Sequence, residues 1–410
     1  MKIINSCDLV VIGGGASGLM CACQAAKNGN SVLVLDGNRQ QGRKLRITGK
    51  GRCNLTNNCN ISDFMRNIPG DGRFLYSALN RFSPADTIAF FEDAGVPLKT
   101  ERGQRVFPVS DNANDIAECL IRLCTENGVS FLRTRADSVL LENGTVSGVH
   151  TPEGCIACHA AALCTGGLSY PLTGSDGTGM KIARTLGHTI VPTRPSLVPL
   201  ESEDEYCAEL QGFSLKNVTL RAYEDDKLIF KELGEMLFTH FGVSGPLVLS
   251  ASAHMRHFNT SAYRLEIDLK PGLDDEKLDA RILRDFAEYS NKSIQNLMPG
   301  LVGRSMAPVV LRLAEIDPAT PANLVTHDER TALRRVLKAF PVSVKGTRSV
   351  DEAIITSGGV CTKEVDPRSM QSKIVPGLYF AGEILDLDAY TGGFNLQIAW
   401  STGFVAGSAI

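Results

Sequence analysis

The chain has 410 residues, of which 43% are apolar and 21% charged, a globular composition whose length predicts two or three packed units. Forty-two basic against 45 acidic residues leave a formal charge of −3, which gives no general positive field for a phosphate backbone and sets the expectation of a small-molecule substrate and no nucleic-acid partner. No apolar run reaches the roughly 18–20 residues of a membrane span, and twelve scattered cysteines without a secretory leader read as reduced thiols, so a cytoplasmic monomer or homodimer without a membrane partner is expected.

Residues 9–12 form a short apolar run, Gly13-Gly14-Gly15-Ala16-Ser17-Gly18 follows, and residues 19–28 have the small-residue pattern of a helix ending at Gly29. A second apolar run, 31–35, closes on Asp36. Strand, glycine turn, helix, strand and acid together predict a βαβ unit that binds an adenine dinucleotide. Gly13 allows the sharp turn, Gly15 lets the backbone approach a pyrophosphate, Gly18 lets helix and strand pack closely, and Asp36 accepts from a ribose hydroxyl. The motif alone does not choose between NAD and FAD.

An ordinary NAD domain would enter another helix next. Instead a basic, glycine-rich stretch runs through Gly42-Arg43-Lys44 and Thr48 to Asn57, with Arg43, Lys44, Lys50 and Arg52 able to neutralise an anion. A third glycine cluster, Thr165-Gly166-Gly167, follows the strand-like run 160–164. Pro192, Pro195 and Pro199 punctuate the exit into alternating segments at 215–230 and 263–269, which predict antiparallel strands; 274–339 has helical spacing. The last cluster is Ala381-Gly382-Glu383 after an apolar run, then Thr391-Gly392-Gly393 opening a terminal helix.

The blocks GRKLRITGKGRCNLTN near the start and AGEILDLDAYTGGFNLQIAWSTG at the end, with RVFPVS, LFTHFGVSGP and KGTRSVDEAIITSGGV between them, resemble the BaiN-like (aminoacetone-oxidase-like) family of NAD(P)/FAD-dependent oxidoreductases. The resemblance implies an α/β fold with a discontinuous Rossmann-like FAD-binding domain (1–190 and 341–410), an inserted β-rich substrate domain (191–270) and a helical lobe (271–340). It implies tightly but noncovalently held FAD, with NADH or NADPH as transient electron donor. Carried over residue by residue, the cofactor contacts are Gly13, Gly15, Ala16, Ser17 and Gly18 in the phosphate turn, and Asp36 where the family often has Glu. Arg43, Lys44, Thr48 and Asn54 follow in the next loop, Thr165 and Gly166 in the middle turn, and Gly382, Glu383, Gly393, Asn395 and Leu396 at the close. Lys50 stands where the family commonly has Gly.

The activity implied is transfer of hydride from NAD(P)H through flavin N5 to a conjugated C=C of a 3-oxo steroid or bile-acid-like substrate, with His240, Arg348 and Tyr390 as candidate acid or anchor. The alternatives are an FAD-dependent amine or aminoketone oxidase using oxygen, and a flavoprotein acting on or regulating tRNA. The seven His residues show no metal-binding spacing, so no metal is expected. Cys155-x-x-Cys158 reads as a structural pair on a strand, Cys21 and Cys23 as packing residues, and Cys53 as a structural thiol as well, although its basic loop is the one place that offers a lowered pKa as the alternative.

Overall fold

A computed structural model describes residues 3–410 and divides them into two compact units, 3–196 with 350–410, and 197–349. In the first unit, strand β1 (Ile3–Ile12), helix α1 (Ala16–Lys27) and strand β2 (Val32–Leu35) form the expected βαβ element. The short helix α2 (Arg43–Ile47) and strand β3 (Thr56–Asn57) follow, then a hairpin of β4 (Leu98–Glu101) and β5 (Arg105–Pro108) whose second strand pairs with β3. Helix α3 (Ala113–Glu126) is capped by the Asn112 side chain and buries Ile116, Leu120 and Cys124 on one face. Strand β6 (Ser130–Leu132) joins β2 in parallel. Strands β7 (Ser138–Glu142), β8 (Thr145–Thr151) and β9 (Gly154–Leu163) form an antiparallel meander, and β9 then runs parallel to β1. After helix α4 (Thr178–Thr185), strand β10 (Ile190–Ser196) leads out of this unit.

The second unit is built on a seven-stranded antiparallel sheet. Its strands are β11 (Leu200–Glu201), β12 (Ser214–Glu224), β13 (Lys227–Thr239), β14 (Gly242–Ser244), β15 (Tyr263–Asp268), β16 (Phe340–Val344) and β17 (Gly346–Thr347), in the order β16-β15-β12-β13-β14-β11-β17. Helices α5 (Pro246–Ser252), α6 (Asp275–Glu288), α7 (Ala307–Leu313) and α8 (His327–Lys338) accompany it. Leu278, Ile282 and Phe286 of α6 and Leu333, Val336 and Leu337 of α8 share one continuous core with Leu220, Phe238, Ile267 and Phe340 of the sheet. The helical stretch is therefore no separate lobe: its apolar faces are the cover of the sheet. The divisions fall at 196/197 and 349/350 rather than at the expected 190/191 and 340/341, because β10 pairs along its length with β18 (Ile355–Val360), while β16 and β17 remain in the second sheet.

The chain then completes the first unit with β19 (Leu378–Phe380), which pairs in parallel with the end of β9, and helix α9 (Phe394–Ser408). Nearly all of α9 is buried. Its glycines explain how: a Cβ on Gly403 would lie 2.4 Å from the Ser17 carbonyl oxygen and one on Gly407 2.3 Å from that of Cys21, so α9 and α1 meet backbone to backbone.

Candidate functional site

Four parallel strands of the first unit stop in register. Ile12 pairs with Leu35 on one side and Leu163 on the other, and Leu163 pairs with Phe380. The residues that follow, Asp36, Gly13, Cys164-Thr165 and Ala381-Gly382-Glu383, thus line one edge of the sheet, the carboxyl ends where open α/β sheets bind ligands. The expected cofactor residues Ala16, Ser17 and Gly18 open α1 at this edge. Ser17 also donates to the Ala381 carbonyl at 3.1 Å, tying the phosphate turn to the closing one.

The three signature glycines have different reasons to be glycine. Gly13 has φ +110°, and a Cβ there would lie 2.5 Å from the Cys164 carbonyl oxygen; on Gly18 it would lie 1.9 Å from that of Gly13. Around Gly15 there is nothing within 4 Å of such an atom. Two of them are demanded by packing, and the third borders open space at the N-terminus of a helix, where free N–H groups favour an anion. Asp36 sits above the turn, accepting from the Gly14 N–H at 3.0 Å and from the Asn38 backbone and side chain at 2.8 and 3.0 Å. Asn38 is a residue the motif does not flag.

Glu383 is the centre of the other half. Lys44 Nζ lies 2.6 Å from its Oε2, and Ser169 Oγ and the Thr356 N–H donate to Oε1, each at 2.9 Å. Lys44 also donates to Ser169 Oγ at 2.7 Å. Thr356 Oγ1 in turn accepts from the N–H groups of Leu168 and Ser169, fixing the segment beyond Gly166. Ser169 and Thr356 were not among the expected residues; they lie inside the glycine clusters at 165–169 and 355–359, which was the available signal. Lys44 and Glu383 satisfy each other, so this lysine is a positioning group as well as a positive charge.

The loop from Thr48 to Asn54 is held in left-handed backbone at Gly49, Lys50, Gly51 and Cys53. For Lys50 and Cys53 such a conformation is uncommon and costs on the order of 1–3 kcal/mol. Thr48 Oγ1 caps the preceding turn by donating to the Leu45 carbonyl, and Arg43 is exposed, its nearest polar contact Asn38 at 3.5 Å. Burial pushes the Cys53 thiol up to about 12, so it is the packed, structural thiol expected, and the alternative of activation by its basic surroundings falls away. Cys158 is pushed up to about 12 for the same reason.

The closing turn docks on β3. A Cβ on Gly393 would lie 2.4 Å from the Thr56 backbone, Thr56 Oγ1 donates to Gln397 at 2.6 Å, and Trp400 donates to the Leu55 carbonyl at 2.9 Å. Asn395 is occupied by the same loop, accepting from the Ala389 N–H and donating to the Ala389 carbonyl; Leu396 is the next residue of α9. Tyr390 is buried just before this turn, its N–H on the Asn67 carbonyl at 2.9 Å.

Among the described residues, Thr165 Oγ1 at this edge and Asn54 Oδ1 at the end of the Thr48–Asn54 loop are buried polar atoms without a hydrogen-bond partner. Buried polar atoms are rarely left so. Together with the open face of Gly15 and the acid at Asp36, they are the features an adenine dinucleotide would satisfy. The residues present fit that group.

His240 and Arg348 belong to the second unit. His240 is exposed in the two-residue turn between β13 and β14; its ring meets that of Phe241 edge-on at 5.0 Å, and the Arg348 guanidinium lies 4.6 Å from the Phe241 ring. Arg348 also pairs with Glu201 at 2.8 Å. The structure thus brings His240 and Arg348 together through Phe241, with the arginine's charge already matched by Glu201, while Tyr390 lies in the first unit. Among the described residues no cluster of His, Cys, Asp and Glu suits a metal ion, and no helix is long and apolar enough to cross a membrane.

The chain is 31% identical over 402 residues to the ribosomal RNA dihydrouridine synthase of Escherichia coli (strain K12), covering 97% of this chain and 96% of that one. It is 29% identical over 411 residues to the 3-dehydro-bile acid delta(4,6)-reductase of Clostridium scindens, covering 97% and 98%. Among solved structures, the fold is similar to a 3-ketosteroid-delta4-(5alpha)-dehydrogenase from Rhodococcus jostii RHA1, with a TM-score of 0.55, 15% identity and coverage of 100% of this chain and 97% of that one. A flavocytochrome c3 fumarate reductase matches with a TM-score of 0.50, 14% identity and coverage of 100% and 78%. Residues 7–409 match the HI0933-like protein Rossmann domain, and the chain belongs to that family over essentially its whole length.

Proposed function

We propose that this protein is an FAD-dependent oxidoreductase that takes electrons from NADH or NADPH and saturates a carbon–carbon double bond conjugated to a carbonyl, as in a 3-oxo steroid or bile-acid ring. The observation that carries the reading is the single sheet edge at which Gly15, Asp36, Thr165 and Glu383 converge, in a chain whose relatives are named for reductive saturation of such bonds. A 3-oxo bile acid with C4 and C6 unsaturation and a uracil ring share one feature, an alkene polarised by a neighbouring carbonyl.

Bound at this edge, FAD supplies the two-electron redox centre that no side chain here provides. The protein's part is binding, orientation and proton supply. The N–H groups at the start of α1 would hold the pyrophosphate, Asp36 would accept from the ribose, and Asn54 and Thr165 would offer their unused acceptor and hydroxyl. In the overall reaction the nicotinamide is oxidised, the alkene gains one hydrogen at each carbon, and the second of these comes as a proton from a protein acid. Tyr390 is the candidate for that proton in the first unit; His240 and Arg348 remain candidate acid and carbonyl anchor in the second.

The test is the visible spectrum of the purified protein under anaerobic conditions, before and after NADH and then NADPH. A flavin spectrum that bleaches with one of them and returns when a 3-oxo-4-ene steroid is added supports the reading. A protein isolated without flavin, or a flavin that neither nucleotide reduces, overturns it.

A further inference from the structure

The connection between β9 and α4 is tied to both sides of the sheet edge. At one end Ser169 is fully buried, its hydroxyl on the Glu383 carboxylate beyond β19 and its N–H on Thr356 Oγ1. At the other end Asn38, two residues beyond the acid that follows β2, donates from its side-chain amide to the Thr173 carbonyl at 2.9 Å and to Asp36 Oδ1 at 3.0 Å. A Cβ on Gly174 would lie 2.7 Å from that amide nitrogen, so glycine is what lets Asn38 reach the connection. Arg135, beyond β6, pairs with Asp176 at 2.8 Å and lies along Gly37, where a Cβ would be 2.9 Å from its Nε.

The strand order says what this segment passes. Along the carboxyl edge β2 pairs with β1, β1 with β9, and β9 with β19. The tethers at Asp36 and Glu383 thus belong to the two outer strands, and the segment between them runs past the two inner ones, one of which carries the turn from Gly13 to Gly18. Space remains there, since nothing lies within 4 Å of a Cβ built on Gly15.

The segment is held by its ends and little else. Ser169 and Ser175 are buried, whereas no residue from Tyr170 to Gly174 is, and Leu172 at the middle is 82% exposed. Tyr170 enters it in left-handed backbone at φ 54°, uncommon for a residue with a side chain. A stretch with so few buried apolar contacts opens locally at small cost once a tether lets go.

We infer that residues 169–176 are a strap that gates entry and exit of the dinucleotide at this edge, and that Asn38 is the positioning residue that holds it closed. The inference rests on the reading that FAD binds here, and adds the control of its exchange. A gate slows arrival and departure alike, so its loss changes rates and spares affinity; a direct contact would change affinity.

The experiment loads the protein with FAD, adds an excess of radiolabelled FAD, and follows uptake of label by rapid gel filtration, with Kd measured separately by equilibrium dialysis. Asn38→Ala removes the amide and retains the backbone N–H that holds Asp36 at 2.8 Å. Exchange is expected to accelerate about tenfold, the worth of one hydrogen bond. Arg135→Gln, which loosens the strap from its other end, accelerates exchange about threefold, as suits an exposed ion pair. Kd changes less than about threefold in both, the association rate having risen in step. Exchange that neither variant accelerates removes the gate and leaves the cofactor reading standing. A Kd that rises in proportion to the exchange rate makes Asn38 a contact and overturns the gate as well. A protein that holds no FAD removes the cofactor reading and the gate together.

Discussion

Lys44 and Glu383 meet at 2.6 Å across 339 residues of chain, with Ser169 and the Thr356 N–H on the same carboxylate. Four separate stretches of sequence are fixed by one acid. Replacing Glu383 with Gln keeps an acceptor for Ser169 and Thr356 and leaves Lys44 without its counter-ion in a half-buried place. Loss of a charge-assisted hydrogen bond of this kind is worth about 1–3 kcal/mol, so E383Q lowers the melting temperature by a few degrees. Lys44→Met restores part of that loss in the E383Q background, which a double-mutant cycle measures.

The signature glycines separate binding from folding. Gly15→Ala adds a methyl group to open space in a conformation alanine accepts, so the cofactor-free protein keeps its stability to within about 0.5 kcal/mol, while flavin affinity falls at least tenfold. Gly18→Ala drives a Cβ into the Gly13 carbonyl and is expected to lose soluble protein. Denaturation of the apo proteins and titration with FAD distinguish the two.

His188 is buried between Glu364 and Ser372, its nitrogens 3.2 and 2.8 Å from them. Burial holds it below its ordinary value of 6.5, outweighing the pull of the Glu364 carboxylate. The folded state therefore favours the neutral ring, and stability present above about pH 6.5 is lost as pH falls below it. The melting temperature should fall from pH 7 to 5, and His188→Gln should flatten that slope whatever its own stability.

Tyr390→Phe tests the proton. Reduction of the flavin by nicotinamide, followed in a stopped-flow instrument, is unchanged. Turnover of the unsaturated substrate falls about 10²–10⁴-fold, the usual contribution of a general acid, and the limb of the pH–rate profile due to the acid disappears. An equal loss in both half-reactions assigns Tyr390 to packing.

Lys50 joins strain to charge. Glycine enters left-handed backbone freely, so Lys50→Gly relieves strain and gains about 0.5–1 kcal/mol after the greater freedom of the unfolded chain is counted. Chemical denaturation of the two cofactor-free proteins side by side measures the gain.

What the sequence revealed was local. The turn from Gly13 to Gly18 and the acid at Asp36 were legible because a βαβ unit is specified by about thirty consecutive residues. The contacts on Glu383 were not, since a serine and a threonine inside glycine clusters carry no mark of a partner 214 or 27 residues away. The helical stretch 271–340 showed its amphipathic faces and not what they cover; Leu278, Leu333 and Phe340 meet only in the folded sheet core.

The backbone contact of Gly403 and Gly407 with α1 has a consequence for synthesis. Residues 13–18 pack partly on Cys164 and partly on the segment that begins at Leu378, with Ser17 and Ala381 lying 364 residues apart in the chain, so a growing chain on the ribosome lacks one wall of its nucleotide site until that distant segment has been translated. Cofactor capture then follows translation, and overproduction with limited riboflavin should accumulate a protein that is full-length, colourless and able to be reconstituted.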